Sequence, residues 1–138
     1  MIKLIACDMD GTLLDSQKRL PADFPEVLAA LKEKGVLFAV ASGRQYAALR
    51  RDFEPYIEDV LFICENGALV MQRDERLLID PIDPRDLYRI VTSVKDLQGV
   101  YPVVCRAHMA LIEKTASPEF IRNTCMYYPS VQVVDDLT

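Results

Sequence analysis

Ile2, Leu4, Ile5, Ala6 and Cys7 form an apolar run that stops abruptly at Asp8-Met9-Asp10-Gly11-Thr12. An apolar run bounded by a turn signal reads as a buried strand of a parallel sheet. Such sheets bind their ligands in the crevice beyond the carboxyl ends of the strands. Asp8 and Asp10 are therefore expected to project into a crevice, close enough to share a cation and a proton. By itself, Asp-x-Asp-Gly serves equally well as a strand-ending turn, because Asp and Gly both suit turns. It does not continue as a calcium loop: the twelfth position counted from Asp8 is Arg19, where such a loop has Glu.

A second run, Gly35 to Ala41, ends in Ser42-Gly43-Arg44, and a helical pattern of Tyr46, Ala47, Leu49, Arg50 and Phe53 follows. The spacing places Ser42 at the N-cap of that helix. Free N–H groups and the helix dipole favour an anion there, and Gly43 lets the backbone approach an oxyanion closely. A third run, Val60 to Ile63, ends in Cys64-Glu65-Asn66-Gly67-Ala68. Two crevice-facing sites on neighbouring strands, one acidic and one anion-binding, are much less common by chance than either alone.

These three segments, in this order, resemble the haloacid dehalogenase superfamily of phosphohydrolases. Asp8 to Thr12 is similar to its first motif and Ser42 to Arg44 to its second. Cys64 to Ala68 resembles the third strand end of the Cof-type subfamily, whose larger cap follows that strand. The resemblance implies an α/β fold, with a Rossmann-like parallel sheet as a partial core and part of an α+β cap. It implies that Asp8 is the nucleophile, forming an aspartyl-phosphate, and that Asp10 is the general acid and base. Ser42 and Gly43 then bind phosphate, while Arg44 and Asn66 are possible substrate or cap contacts. Mg2+ is implied on the Asp8 carboxylate and the Asp10 backbone carbonyl. The expected substrate is a small phosphorylated metabolite, such as a sugar phosphate.

The first half reads as βαβαβ, with a helix from about Phe24 to Lys34, an Asp23/Glu26 capping box and a stop at Gly35. Leu13 to Pro21 is expected to form a short flap over the crevice, and Leu69 to Ile79 a hairpin turning at Gln72 to Glu75. The domains expected are residues 1–80, the partial core, and 81–138, the partial cap. In the latter, a helix from Asp83-Pro84 should stop at Gly99, and a second should run from Ser117-Pro118 to about Met126. Strands are expected at Tyr101–Arg106, Met109–Glu113 and Val131–Val134. Asp8 and Ser42 are too close in sequence for a cap between the first two motifs.

The family's third-motif Lys and fourth-motif acidic residues have no counterpart. Lys114 lies in cap-like sequence, and Asp135-Asp136 lacks a preceding strand end with Gly. The expectation is a chain truncated within the cap, incomplete or inactive as a phosphatase, whose exposed first strand promotes self-association. The alternatives are a non-catalytic phosphate-binding or regulatory remnant and a phosphomannomutase-like phosphotransferase. Of the 138 residues, 51% are hydrophobic and 27% charged, enough apolar residues for a core and unlike a disordered chain. A net charge of -5 argues against nucleic acid as a partner. The absence of a long apolar stretch argues against a membrane, and a cytoplasmic location is expected. Cys7 and Cys64 read as reduced core thiols, and His108, the only histidine, receives no catalytic role.

Overall fold

The computed structural model describes residues 1–138, which divide into two compact units, Met1–Ile79 and Asp80–Thr138. The first unit holds a five-stranded sheet in the order β1-β2-β3-β4-β5. Strands β1 (Leu4–Asp8), β2 (Leu37–Ala41) and β3 (Val60–Cys64) run parallel. Strands β4 (Leu69–Gln72) and β5 (Glu75–Ile79) continue the sheet antiparallel. The crossovers are helix α1 (Phe24–Glu33) and helix α2 (Tyr46–Asp52). This is the α/β sheet the sequence implied.

Aromatic packing holds the crossovers to the sheet. Phe24 of α1 meets Phe38, Phe53 and Tyr56 edge-on, at centroid distances of 5.5, 5.9 and 5.1 Å. Phe62 of β3 meets Tyr46 and Phe53 in the same way, at 5.5 and 6.0 Å. Such pairs add about 0.5–1.5 kcal/mol each beyond their area burial. Phe53, Phe62, Val40 and Val60 are fully buried. β2 and β3 are thus the interior of the sheet, and their continuous apolar runs follow from that.

Strand β1 is the exposed first strand that was expected, and not a buried one. It pairs only with β2, and Leu4 and Ile5 remain exposed. Cys7 is half-buried instead of a core thiol, whereas Cys64 is fully buried. The Asp23/Glu26 capping box is not formed: Asp23 is the N-cap of α1 but its side chain bonds to no cap N–H. Pro25 at the second helical position has removed one of the two donors such a cap uses.

The β4–β5 hairpin turns through Arg73 and Asp74, with Gln72 paired to Glu75, a tighter turn than expected. Both turn residues have positive φ, 51° and 61°, the mirror-image turn that matches strand twist. Asp74 is held from α2: its carboxylate accepts from the Tyr46 hydroxyl at 2.6 Å and from Arg50 Nε at 2.7 Å. Burial, with Asp74 alongside, pushes the Tyr46 hydroxyl well above the usual phenol range.

The second unit carries a three-stranded sheet of β6 (Val104–Cys105), β7 (Ala110–Glu113) and β8 (Val131–Val134). Helices α3 (Pro84–Val94) and α4 (Pro118–Tyr127) complete it. Both helices start as the sequence indicated, with Asp83 accepting from the Arg85 N–H and Ser117 from the Phe120 N–H. α3 ends at Val94, with turns rather than helix continuing to Gly99. The strand expected over Tyr101–Arg106 shrinks to two residues. Pro102 has no N–H for a ladder, and Tyr101 packs on Phe120 at 5.0 Å. No helix is long and apolar enough to cross a membrane.

Candidate functional site

The register of the parallel strands brings the first two motifs together. Asp8, last residue of β1, pairs with Ala41, last residue of β2, so Asp8 and Ser42 leave the sheet at the same end. The first loop then tightens at once. The N–H groups of Thr12, Leu13 and Leu14 all donate to the Met9 carbonyl, and Met9 is fully buried beneath the turn. Gly11 sits at φ +78°, a conformation that costs a glycine nothing. Anchoring Met9 inward leaves its neighbours Asp8 and Asp10 exposed.

The second loop is not the helix cap that the spacing suggested. Gln45 is the N-cap of α2, and the hydroxyl oxygen of Ser42 accepts from the Arg44 N–H at 3.2 Å. Ser42 instead shapes a loop tied to the third strand end. Its N–H donates to the Ile63 carbonyl at 2.9 Å, and its carbonyl accepts from the Asn66 N–H at 3.2 Å. The Glu65 N–H donates to the Arg44 carbonyl at 3.2 Å. Gly43 lies against the side chain of Asn66, and a Cβ at Gly43 would come within 2.8 Å of Asn66 Oδ1. The third segment therefore enters the site as a brace behind the second. It is bent for this purpose, with Glu65 and Asn66 at φ 51° and 56°.

Electrostatics separate the two carboxylates. Asp8 makes no ion pair. Asp10 Oδ1 accepts from Lys18 Nζ at 2.5 Å and from Arg44 Nη2 at 2.7 Å. The Lys18 hydrogen bond, then that of Arg44, holds the Asp10 carboxyl below its ordinary 3.8, against a small opposing effect of desolvation. Arg44 also donates from Nη1 to Asp52 Oδ2 at 3.1 Å. It thus bolts the first loop to α2 through the second, entirely within the first unit. Close by, burial pushes the Cys64 thiol up to about 12, with the Glu65 charge adding to the effect.

Lys18 and Asp52 are the participants that sequence reasoning missed. Asp52 lies eight residues beyond Arg44, across α2. For Lys18 there was a local signal in Asp15-x-x-x-Arg19: Asp15 Oδ1 accepts from the N–H groups of Gln17 and Arg19 and closes a turn with Lys18 near its tip. A recess of about 600 Å³ lined by Thr12, Leu13, Leu14 and Leu20, among others, adjoins this flap, but its walls include neither Asp8 nor Ser42.

The donor set can be tested against a divalent cation. No group of three or more His, Cys, Asp or Glu side chains is assembled anywhere. Two oxygens suit a hard cation: the Asp8 carboxylate and the Asp10 carbonyl, since the loop's N–H groups turn to the Met9 and Asp8 carbonyls instead. Mg2+ commonly takes one or two carboxylates and fills its octahedron with water and substrate phosphate, so this partial set fits.

The family model for haloacid dehalogenase-like hydrolases matches residues 5–136, nearly the whole chain and all three strand ends. The chain belongs to this family. Among haloacid dehalogenase-like relatives, it is 29% identical over 136 residues to the Escherichia coli K12 protein YbjI, named a 5-amino-6-(5-phospho-D-ribitylamino)uracil phosphatase. That alignment covers 98% of this chain and 50% of YbjI. It is 30% identical over 103 residues to the Bacillus subtilis 168 phosphatase YwpJ, covering 74% of this chain and 36% of that protein. The solved structure of SMU.1108c from Streptococcus mutans UA159 superposes with a TM-score of 0.86 at 25% identity, covering 99% of this chain and 52% of that one. The chain therefore spans about half the length of the relatives it matches or less.

Proposed function

We propose that this chain carries the nucleophile and phosphate-binding portion of a magnesium-dependent phosphatase acting on small phosphorylated metabolites. The observation that carries the reading is the pairing of Asp8 with Ala41, which brings a carboxylate free of ion pairs to the same sheet end as the Ser42–Gly43 loop. Asp8 attacks phosphorus and forms an aspartyl-phosphate as the ester oxygen leaves. Asp10 protonates that oxygen and later takes a proton from the water that hydrolyses the intermediate. The Ser42 hydroxyl and the Gly43 N–H hold phosphoryl oxygens. The Asp8 carboxylate and the Asp10 carbonyl would hold Mg2+, which when bound would supply positive charge against the repulsion between Asp8 and the incoming phosphate. Arg44 positions Asp10, and Asn66 supports Gly43.

A metabolite with a phosphorylated polyol or sugar fits the reading, since YbjI is named for a phosphoribityl compound. In this reading residues 80–138 belong to the cap. The free thiols of Cys7, Cys64 and Cys125 suit a cytoplasmic protein. The open edge of β1, apolar and exposed, supports self-association through that strand.

The test is phosphate release from p-nitrophenyl phosphate with and without Mg2+. Magnesium-dependent release that Asp8→Asn abolishes is the expected result. Release that is indifferent to Asp8 refutes the mechanism. That no third acidic, His or Cys side chain joins Asp8 and Asp10 favours one other reading, a phosphate-binding protein without turnover. Magnesium-dependent phosphate binding with no release would select it.

A further inference from the structure

Two cations meet Asp10, and they are held differently. Arg44 is gripped at both ends of its guanidinium, by Asp10 and by Asp52, and its side chain is only 29% exposed. Lys18 is held by Asp10 alone, and its side chain is 63% exposed. Both converge on one oxygen, Oδ1. An ion pair of this exposure contributes little to stability, so folding alone does not account for the trouble the backbone takes to present Lys18. That trouble is visible. Lys18 stands at φ +60°, where Asn or Gly would sit more easily. The turn beneath it is closed from both sides: the Asp15 N–H donates to the Arg19 carbonyl at 3.0 Å, and the Lys18 N–H to the Asp15 carbonyl at 2.9 Å. The neighbouring cation, Arg19, is turned away and donates from Nε to Asp15 at 2.9 Å. A rigid turn thus delivers one singly tethered ammonium to the strand end where Asp8 stands.

We propose that Lys18 is an anion-binding residue of the flap, which gives up its contact with Asp10 to donate to an oxygen of the bound phosphoryl group. This rests on the phosphatase reading above and adds to it a cation that the strand-end motifs do not supply. Arg44 is tethered to Asp52 as well as to Asp10, and so is the less free of the two cations to move toward a ligand. Lys18 has one bond to exchange, and the exchange leaves Asp10 still paired with Arg44.

The experiment titrates inorganic phosphate into the 138-residue chain in the presence of Mg2+, followed by calorimetry. Lys18→Asn removes the charge while tolerating the left-handed backbone, Lys18→Arg keeps the charge, and Lys34→Met removes an exposed charge elsewhere. Loss of one cation beside the anion in a largely solvated site is expected to weaken phosphate binding about tenfold in Lys18→Asn. Lys18→Arg and Lys34→Met should stay near the parent. Phosphate affinity unchanged in Lys18→Asn but lost in Ser42→Ala overturns the role of Lys18 and leaves the phosphate site standing. Absence of phosphate binding by the unaltered chain overturns both.

Discussion

Gly43→Ala is the substitution that most directly probes how the second and third strand ends are joined. Gly43 does not need a positive φ, so alanine brings no backbone strain there; what it brings is a methyl group 2.8 Å from Asn66 Oδ1, 3.3 Å from Nδ2 and 3.4 Å from Cγ. Real carbon contacts do not come that close, so something moves. Asn66 has a short side chain on a backbone fixed at φ 56° by its N–H bond to the Ser42 carbonyl, and it cannot retreat far without breaking that bond. Overpacking of this kind typically costs about 1–3 kcal/mol. The Asn66 amide can rotate partly aside, which puts the expected value near the lower end, about 1 kcal/mol. Asn66→Gly should relieve the conflict, because glycine accepts the left-handed conformation and has no amide to strike. In the Asn66→Gly background Gly43→Ala should then cost close to nothing, a coupling of about 1 kcal/mol. Native-state hydrogen exchange at the amides of Ala39, Val40 and Phe62 measures this, since those strands open with the first unit rather than the second. Equal costs of Gly43→Ala in the two backgrounds would show that Asn66 does not brace Gly43.

Phe62→Ala removes a fully buried ring packed edge-on against Tyr46 and Phe53, and should lower the stability of the first unit by about 3–5 kcal/mol, read from the same amides. Asp10 has its carboxyl held below 3.8 in the folded chain, so its contribution is present above that value and disappears as pH falls through the lower, folded value. Urea denaturation should therefore find Asp10→Asn less stable than the parent at neutral pH and equal to it in strong acid, with screening keeping the difference under about 1 kcal/mol. A gap that persists below the folded value would contradict the ion pairing of Asp10. Ile5→Lys places a charge on the open edge of β1 and should shift the chain toward monomer in sedimentation. If Leu78→Lys on β5, the opposite edge, has that effect and Ile5→Lys does not, the association runs through the wrong strand.

Much of the molecule was legible along the chain because the information is local. The run Val60–Ile63 is apolar throughout since β3 is covered on both faces, and Pro84 and Pro118 announce helix starts because proline fits a helix's first turn. Asp8, Ser42 and Asn66 were each marked by a strand ending in residues that end strands. Where expectation and structure part, a neighbour that the sequence does not reveal has intervened. Ser42 reads as a helix cap until the Ile63 carbonyl takes its N–H and the helix begins at Tyr46 instead. The Tyr101–Arg106 segment is apolar enough for a strand, but Phe120 holds its first residue.

Composition and order along the chain by themselves determined that there is a parallel sheet, that its first strand ends in two carboxylates and its second in a Ser-Gly-Arg loop, and which family the chain resembles. Each of these follows from side-chain chemistry at fixed spacing. Only the tertiary structure decided that Lys18 and Arg44 share one oxygen of Asp10 and that Asn66 backs Gly43. Those facts depend on register between strands and on distances across 8, 23 and 34 residues of chain, which no local pattern encodes.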